Sequence, residues 1–109
     1  MNRATDRKIL FLKTYSNFQR IEFNDILLIQ AFGDYVKFCT EDKVYLSHTP
    51  MSRIEDMLAS SNFIRVHRSF IVNISKISRV TLNKIEINNY KIPVSKSYRH
   101  NLLNQIVVI

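Results

Sequence analysis

The stretch that most constrains this chain runs from Phe63 to Val80, FIRVHRSFIVNISKISRV. Read as one strand whose side chains alternate between two faces, it puts Ile64, Val66, Arg68, Phe70, Val72 and Ile74 on the same side. All of these are apolar except Arg68, which has no acid within ten residues of it. A buried guanidinium without a partner is expensive, so the alternation has to break at His67-Arg68-Ser69. The pattern predicts a short strand, a turn carrying these three side chains outward, and a second apolar segment, Phe70–Ile74, anchoring the turn from behind. Such a turn is either a reading head for a polar ligand or a basic piece of ordinary surface.

A chain of 109 residues, 46% hydrophobic and 23% charged, is expected to form one domain with a single modest core. No apolar run approaches the roughly 18 residues of a membrane span, and no apolar segment follows the charges of MNRATDRK to make a signal peptide. Cys39 is the only cysteine, which excludes an intrachain disulfide and a cysteine-cluster zinc site; it reads as a small half-buried residue. Residues 1–7 read as a linker or disordered end and residues 8–109 as the domain. The expected location is the cytoplasm, with no metal and no cofactor.

The net charge of +7 is unevenly placed. Residues 1–62 carry eight Lys/Arg against eight Asp/Glu, whereas residues 63–109 carry eight Lys/Arg against Glu86 alone. This asymmetry is the footprint of a phosphate-binding surface. If Arg65, Lys76 and Lys91 point elsewhere, about five cations of this half remain, with Lys37 or Lys43 able to join them. Neutralising about five or six phosphates implies a log–log slope of affinity against salt near −4.5 to −5.5.

Taken in order, Ile9–Lys13 and Gln19–Phe23 read as short strands, Ile26–Gln30 as a buried strand, Tyr35–Thr40 as an alternating strand after the Gly33-Asp34 turn, and Lys43–Ser47 as its partner. Thr49-Pro50 predicts a helix over about 50–59, with Thr49 as cap, Pro50 at the first position and Met51, Ile54, Met57 and Leu58 as its apolar stripe. Lys76–Leu82, Lys84–Ile87 and Tyr90–Val94 alternate again, with turns at Asn83-Lys84 and Asn88-Asn89. Ser95 predicts a last helix over about 96–105. Its first turn holds Lys96 and Arg99, where the helix dipole disfavours cations, a placement that makes sense if the helix start and these side chains share an anion.

The runs FIRVHRSFIVNISKI, IQAFGDYVKF and IPVSKSYRHNL resemble the LytTR DNA-binding domain of bacterial response regulators, over about residues 9–106. The resemblance implies a mostly β fold of short antiparallel sheets with one internal and one C-terminal helix. It also implies binding to double-stranded promoter DNA by loops inserted into successive major grooves, with bending of the duplex. By motif position it implies base reading by Tyr35, Arg68 and Lys96, and phosphate contact or loop support by Lys37, His67, Ser69, Lys84, Ser97 and Arg99. Some family members carry His where this chain has Tyr35 and Asn where it has Arg68, so base preference does not carry over. Arg68 has the fork that suits O6 and N7 of guanine, and Lys96 can reach the same acceptors. The resemblance further implies a receiver or sensor domain elsewhere in a full-length regulator; pairing of two copies on direct repeats stays open.

Two other functions compete. A basic protein-interaction module would use the same face on an acidic partner. A metal-free nuclease would use His48, His67 and His100, although nothing in their spacing holds two groups near one phosphorus. No catalytic residue is expected.

Overall fold

The structure, a computed structural model, describes residues 8–109; the expected linker at 1–7 lies outside them. Ten strands and two helices follow in order: β1 (Ile9–Lys13), β2 (Phe18–Glu22), β3 (Ile26–Phe32), β4 (Tyr35–Thr40), β5 (Val44–Ser47), α1 (Met51–Met57), β6 (Phe63–His67), β7 (Phe70–Asn73), β8 (Arg79–Val80), β9 (Lys84–Ile87), β10 (Tyr90–Pro93) and α2 (Lys96–Gln105). They form a β1-β2 hairpin, a five-stranded sheet ordered β5-β4-β3-β7-β6, and a three-stranded sheet ordered β10-β9-β8, with all pairs antiparallel. The expected mostly β fold with an internal and a C-terminal helix is the fold observed.

The five-stranded sheet is covered on both faces, which explains why ILLIQ is continuously apolar rather than alternating. One face sets Ile29, Val36, Phe38 and Ile71 against Leu12 and Ile21 of the hairpin and Met51, Ile54 and Leu58 near α1. The other sets Leu28, Cys39, Ile64, Val66 and Val72 against Ile85, Ile87 and Ile92 of the small sheet and Leu102 of α2. The chain therefore builds two cores, not the single one expected, and Cys39 is buried at 2% exposure instead of half-buried. A full burial of a large aliphatic side chain contributes roughly 1.5–3 kcal/mol, so both layers matter to stability.

Three local expectations need correction. Pro50 is the cap of α1 rather than its first helical residue, and its carbonyl accepts from the amides of Arg53 and Ile54 at 3.1 and 3.2 Å. The Thr49 hydroxyl instead lies 2.9 Å from that of Ser47. The helix ends at Met57, which is exposed and leaves the predicted stripe. The strand expected over Lys76–Leu82 shrinks to Arg79–Val80 because the buried Asn73 side chain accepts from the amide of Ser75 at 3.1 Å and from its hydroxyl at 2.7 Å. Those bonds turn Ile74–Lys76 into a short 3-10 helix. At the predicted Asn88-Asn89 turn, Asn88 takes φ +50°, the left-handed region that Asn tolerates.

Candidate nucleic-acid interface

The break in alternation falls where the sequence requires it. β6 ends at His67, Arg68 and Ser69 form the turn, and β7 begins at Phe70. The β6–β7 register runs Ile64↔Val72 and Arg65↔Ile71, then jumps to His67↔Phe70. Val66 is thus the extra residue of a bulge, with its side chain fully buried, and a bulge re-aims the chain that follows it. Only Arg68 of the three turn side chains is exposed; His67 and Ser69 are half-buried, contrary to the expectation that all three point outward. The Ser69 amide donates to Nδ1 of His67 at 3.0 Å, so in the neutral ring the proton sits on Nε2. The same imidazole meets Phe70 edge-on, with ring centres 5.7 Å apart.

Backbone hydrogen bonds gather the other two expected reading segments around this turn. The Ala31 amide donates to the Ser69 carbonyl at 2.9 Å, bringing the end of β3 and its Gly33 turn alongside. Gly33 has φ +61°, which a residue without Cβ adopts at no steric cost, and Tyr35 follows it, exposed. On the far side, the Ser95 amide donates to the Val66 carbonyl at 2.9 Å, seating the start of α2 on the bulge. Lys96 and Ser97 are exposed in that first turn, and Ser95 makes no side-chain capping bond. Tyr35, Arg68 and Lys96 thus lie on three segments at one end of the molecule.

The supporting residues divide. Lys84 is exposed at the start of β9, opposite Pro93, and the Val94 amide bonds the Asn83 carbonyl at 2.9 Å, which keeps Lys84 near the start of α2. Lys37 is half-buried with its amine 4.1 Å from the centre of the Phe32 ring, a cation–π contact. Arg99 is half-buried, borders an apolar groove with Val80, Leu82, Leu102 and Leu103, and its Nε is buried with no hydrogen-bond partner among the described residues. Lys43 lies in the β4–β5 turn at the opposite end of the sheet from the Gly33 turn, so it does not join the group.

Charge at the two ends is segregated. Lys76 shares a cleft with Glu22, Asp25, Glu41 and Asp42, near the β4–β5 turn. Arg79 pairs with Glu86 at 3.6 Å, and Lys91 stands opposite Glu86 in the ladder. Asp34, exposed on the Gly33 turn, is an acid beside the reading segments.

Sequence reasoning missed several neighbours of this end. His48 packs against Tyr35 with ring centres 5.1 Å apart, because Ser47 pairs with Val36 across β4–β5. Glu55 accepts from Arg65 at 2.8 Å; the pair was visible as an acid ten residues before an arginine, but only the docking of α1 brings them together. The three histidines have separate neighbours: Tyr35 for His48, Ser69 and Phe70 for His67, and Asn104 for His100. Among the described residues no group of three or more His, Cys, Asp and Glu is placed to hold a metal ion, and no helix is long and apolar enough to cross a membrane.

By architecture the chain is a two-core, mostly antiparallel β domain that presents two turns and a helix start at one basic end. It belongs to the LytTr DNA-binding domain family, whose model matches residues 16–106. It is 32% identical over 88 residues to the sensory transduction protein LytT of Bacillus anthracis, covering 75% of this chain and 36% of that protein. Identity to LytT of Bacillus subtilis is 35% over 88 residues, with the same coverage. The heme-containing CO-sensing transcriptional regulator RcoM 2 of Paraburkholderia xenovorans is 32% identical over 96 residues, covering 82% of this chain and 36% of that protein. The chain thus spans about a third of the length of these relatives. A solved LytTr DNA-binding domain of a putative methyl-accepting/DNA response regulator from Bacillus cereus superposes with a TM-score of 0.76 at 25% identity, covering 89% of this chain and 94% of that one. The family is a DNA-binding one, and DNA binding is the function of the domain.

Proposed function

We propose that this domain reads double-stranded promoter DNA through two turns and a helix start that enter successive major grooves. Tyr35, Arg68 and Lys96 contact base edges. Lys37, Lys84, Ser97 and Arg99 meet phosphates, and His67 and Ser69 hold the turn that carries Arg68. The carrying observation is the pair of backbone bonds, Ala31 to Ser69 and Ser95 to Val66, which hold the three reading segments at one end.

The chemistry suits the residue types. A guanidinium can bond both acceptors of guanine, while lysine, hydroxyls and backbone amides set register on phosphates without specifying sequence. The Tyr98 amide is taken by the Ser95 carbonyl at 3.0 Å, and the Lys96 and Ser97 amides at the start of α2, which no side chain caps, are the ones that meet a phosphate. Readout at separated patches lets bending of the duplex add to specificity. In a full-length protein the domain serves as the cytoplasmic output of a bacterial two-component response regulator, joined to a receiver or sensor domain.

Selection of bound sequences from random duplex DNA, followed by gel shifts with competitor, tests this reading. Enrichment of a defined motif that Arg68→Ala no longer prefers supports it. Equal binding of all sequences refutes it.

A further inference from the structure

In the basic half, Arg65 is drawn inward, with its side chain 14% exposed, and is the arginine whose guanidinium is fully engaged by protein acceptors. It stands on β6 immediately before the Val66 bulge. Its guanidinium meets three acceptors on two elements. Nη1 donates to Glu55 Oε1 of α1 at 2.8 Å, Nε donates to the His67 carbonyl at 3.2 Å, and Nη2 donates to the Arg68 carbonyl. The two carbonyls belong to the last residue of β6 and the first of the turn, just past the slip in ladder register.

We propose that Arg65, oriented by Glu55, is the positioning residue of the reading turn, so that sequence discrimination depends on a side chain that touches no DNA. This rests on the assignment of Arg68 as a base reader. A planar fork spreads its donors over three nitrogens at fixed angles and reaches a carboxylate and two successive carbonyls at once, whereas the three donors of a lysine ammonium radiate from one nitrogen and lack that span. The turn backbone that sets the origin of the Arg68 side chain is thereby held before DNA arrives. Without the fork the turn gains conformations that must be lost on binding, which weakens only the complex that needs the ordered turn. Nonspecific contacts from Lys37 and Lys84 do not need it. Because Arg65 is already paired, it adds nothing to phosphate neutralisation.

The test uses fluorescence anisotropy with the selected duplex and a scrambled one, for the unmodified protein, Arg65→Lys, Arg65→Gln and Glu55→Gln, at several salt concentrations. Thermal unfolding is followed in parallel. Both Arg65 variants are expected to lose roughly tenfold on the selected duplex, the equivalent of one lost ordering contribution. Affinity for the scrambled duplex and the salt slope should stay unchanged, and amide exchange at Ser69 and Phe70 should quicken. Glu55→Gln, at a half-exposed position, should lose less in the same direction, with its unfolding midpoint checked alongside.

Full discrimination in Arg65→Lys would show that charge alone suffices and would overturn the proposal. A slope flattened by about 0.9 in Arg65→Gln would make Arg65 a phosphate contact and overturn it equally. If Arg65→Gln unfolds, Arg65→Lys and Glu55→Gln decide: unchanged discrimination and exchange in both refutes the brace. Failure of the unmodified protein to discriminate would instead refute the reading of Arg68, leaving the exchange measurement to judge the brace by itself.

Discussion

Salt dependence tests the charge geometry without knowledge of the operator. Of the eight Lys and Arg in residues 63–109, Arg65 and Arg79 are held by Glu55 and Glu86. Lys76 faces the acidic cleft and Lys91 sits beside Glu86. Arg68, Lys84, Lys96 and Arg99 remain, and Lys37 joins them from β4. With Arg68 and Lys96 on bases, three cations are left for phosphates; with all five on phosphates the limit is five. At about −0.9 per phosphate, the log–log slope should lie between about −2.7 and −4.5. This is shallower than the −4.5 to −5.5 expected from sequence. Going from roughly 50 to 200 mM salt should then weaken binding by about 40-fold to about 500-fold. Anisotropy of a labelled duplex across a salt series measures it directly. A slope shallower than about −2 would mean that the basic end faces solvent in the complex. A slope steeper than about −6 would mean that Arg79, Lys76 or Lys91 leaves its acid to meet DNA.

Other outcomes follow from single residues. Arg68→Ala should cost about 1–3 kcal/mol of discrimination at one base step, whereas Lys84→Ala should weaken all sequences alike; competition gel shifts separate the two. Leu102, 1% exposed in the second core, anchors α2, so Leu102→Ala should lower stability by about 2–5 kcal/mol in a urea melt, and a change below about 1 kcal/mol would show α2 undocked. Burial pushes the Cys39 thiol above its ordinary value of 9.0, with the neighbouring Tyr90 and Lys37 opposing the shift. The folded thiol therefore keeps its proton at pH values where the unfolded one loses it, so its contribution is intact below about pH 9 and declines above. Urea melts at neutral and alkaline pH, beside a thiol-reagent titration that should be slow until the chain unfolds, check this; greater stability on the alkaline side would contradict it.

Apart from the strand expected over Lys76–Leu82, strand positions and the turn at Arg68 were legible because alternation and an unpartnered arginine are local signals. The Gly33 turn and the span of α2 were legible for the same reason. What the sequence hid depends on what docks where. Cys39 lies on the face of β4 opposite Val36 and Phe38, and only the small sheet and α2 make that face a second core. Arg65 looked like any outward strand residue until α1 brought Glu55 to it. Asn73 could have been read: an Asn two residues before a Ser, at a strand end, is a signature of local side-chain capping. Arg99 was assigned by motif position, and the packing of α2 over Val80 and Leu102 decided how far it is buried.

The pairing of β3 with β7 has a kinetic consequence. β3–β4, β4–β5 and β6–β7 are neighbours in sequence and can zip as hairpins from local encounters. The β3–β7 seam is different: the Asn73 side chain donates to the Ile26 carbonyl across 47 residues of chain. Closing a flexible segment of that length costs about 3 kcal/mol beyond a constant, and such non-local contacts set the pace of folding. The Ala31–Ser69 bond lies on this seam, so the end that carries Tyr35, Arg68 and Lys96 comes together only when the longest loop in the sheet has shut. A chain stalled short of that step keeps its hairpins and much of its β signal, yet has no surface on which a duplex can be read.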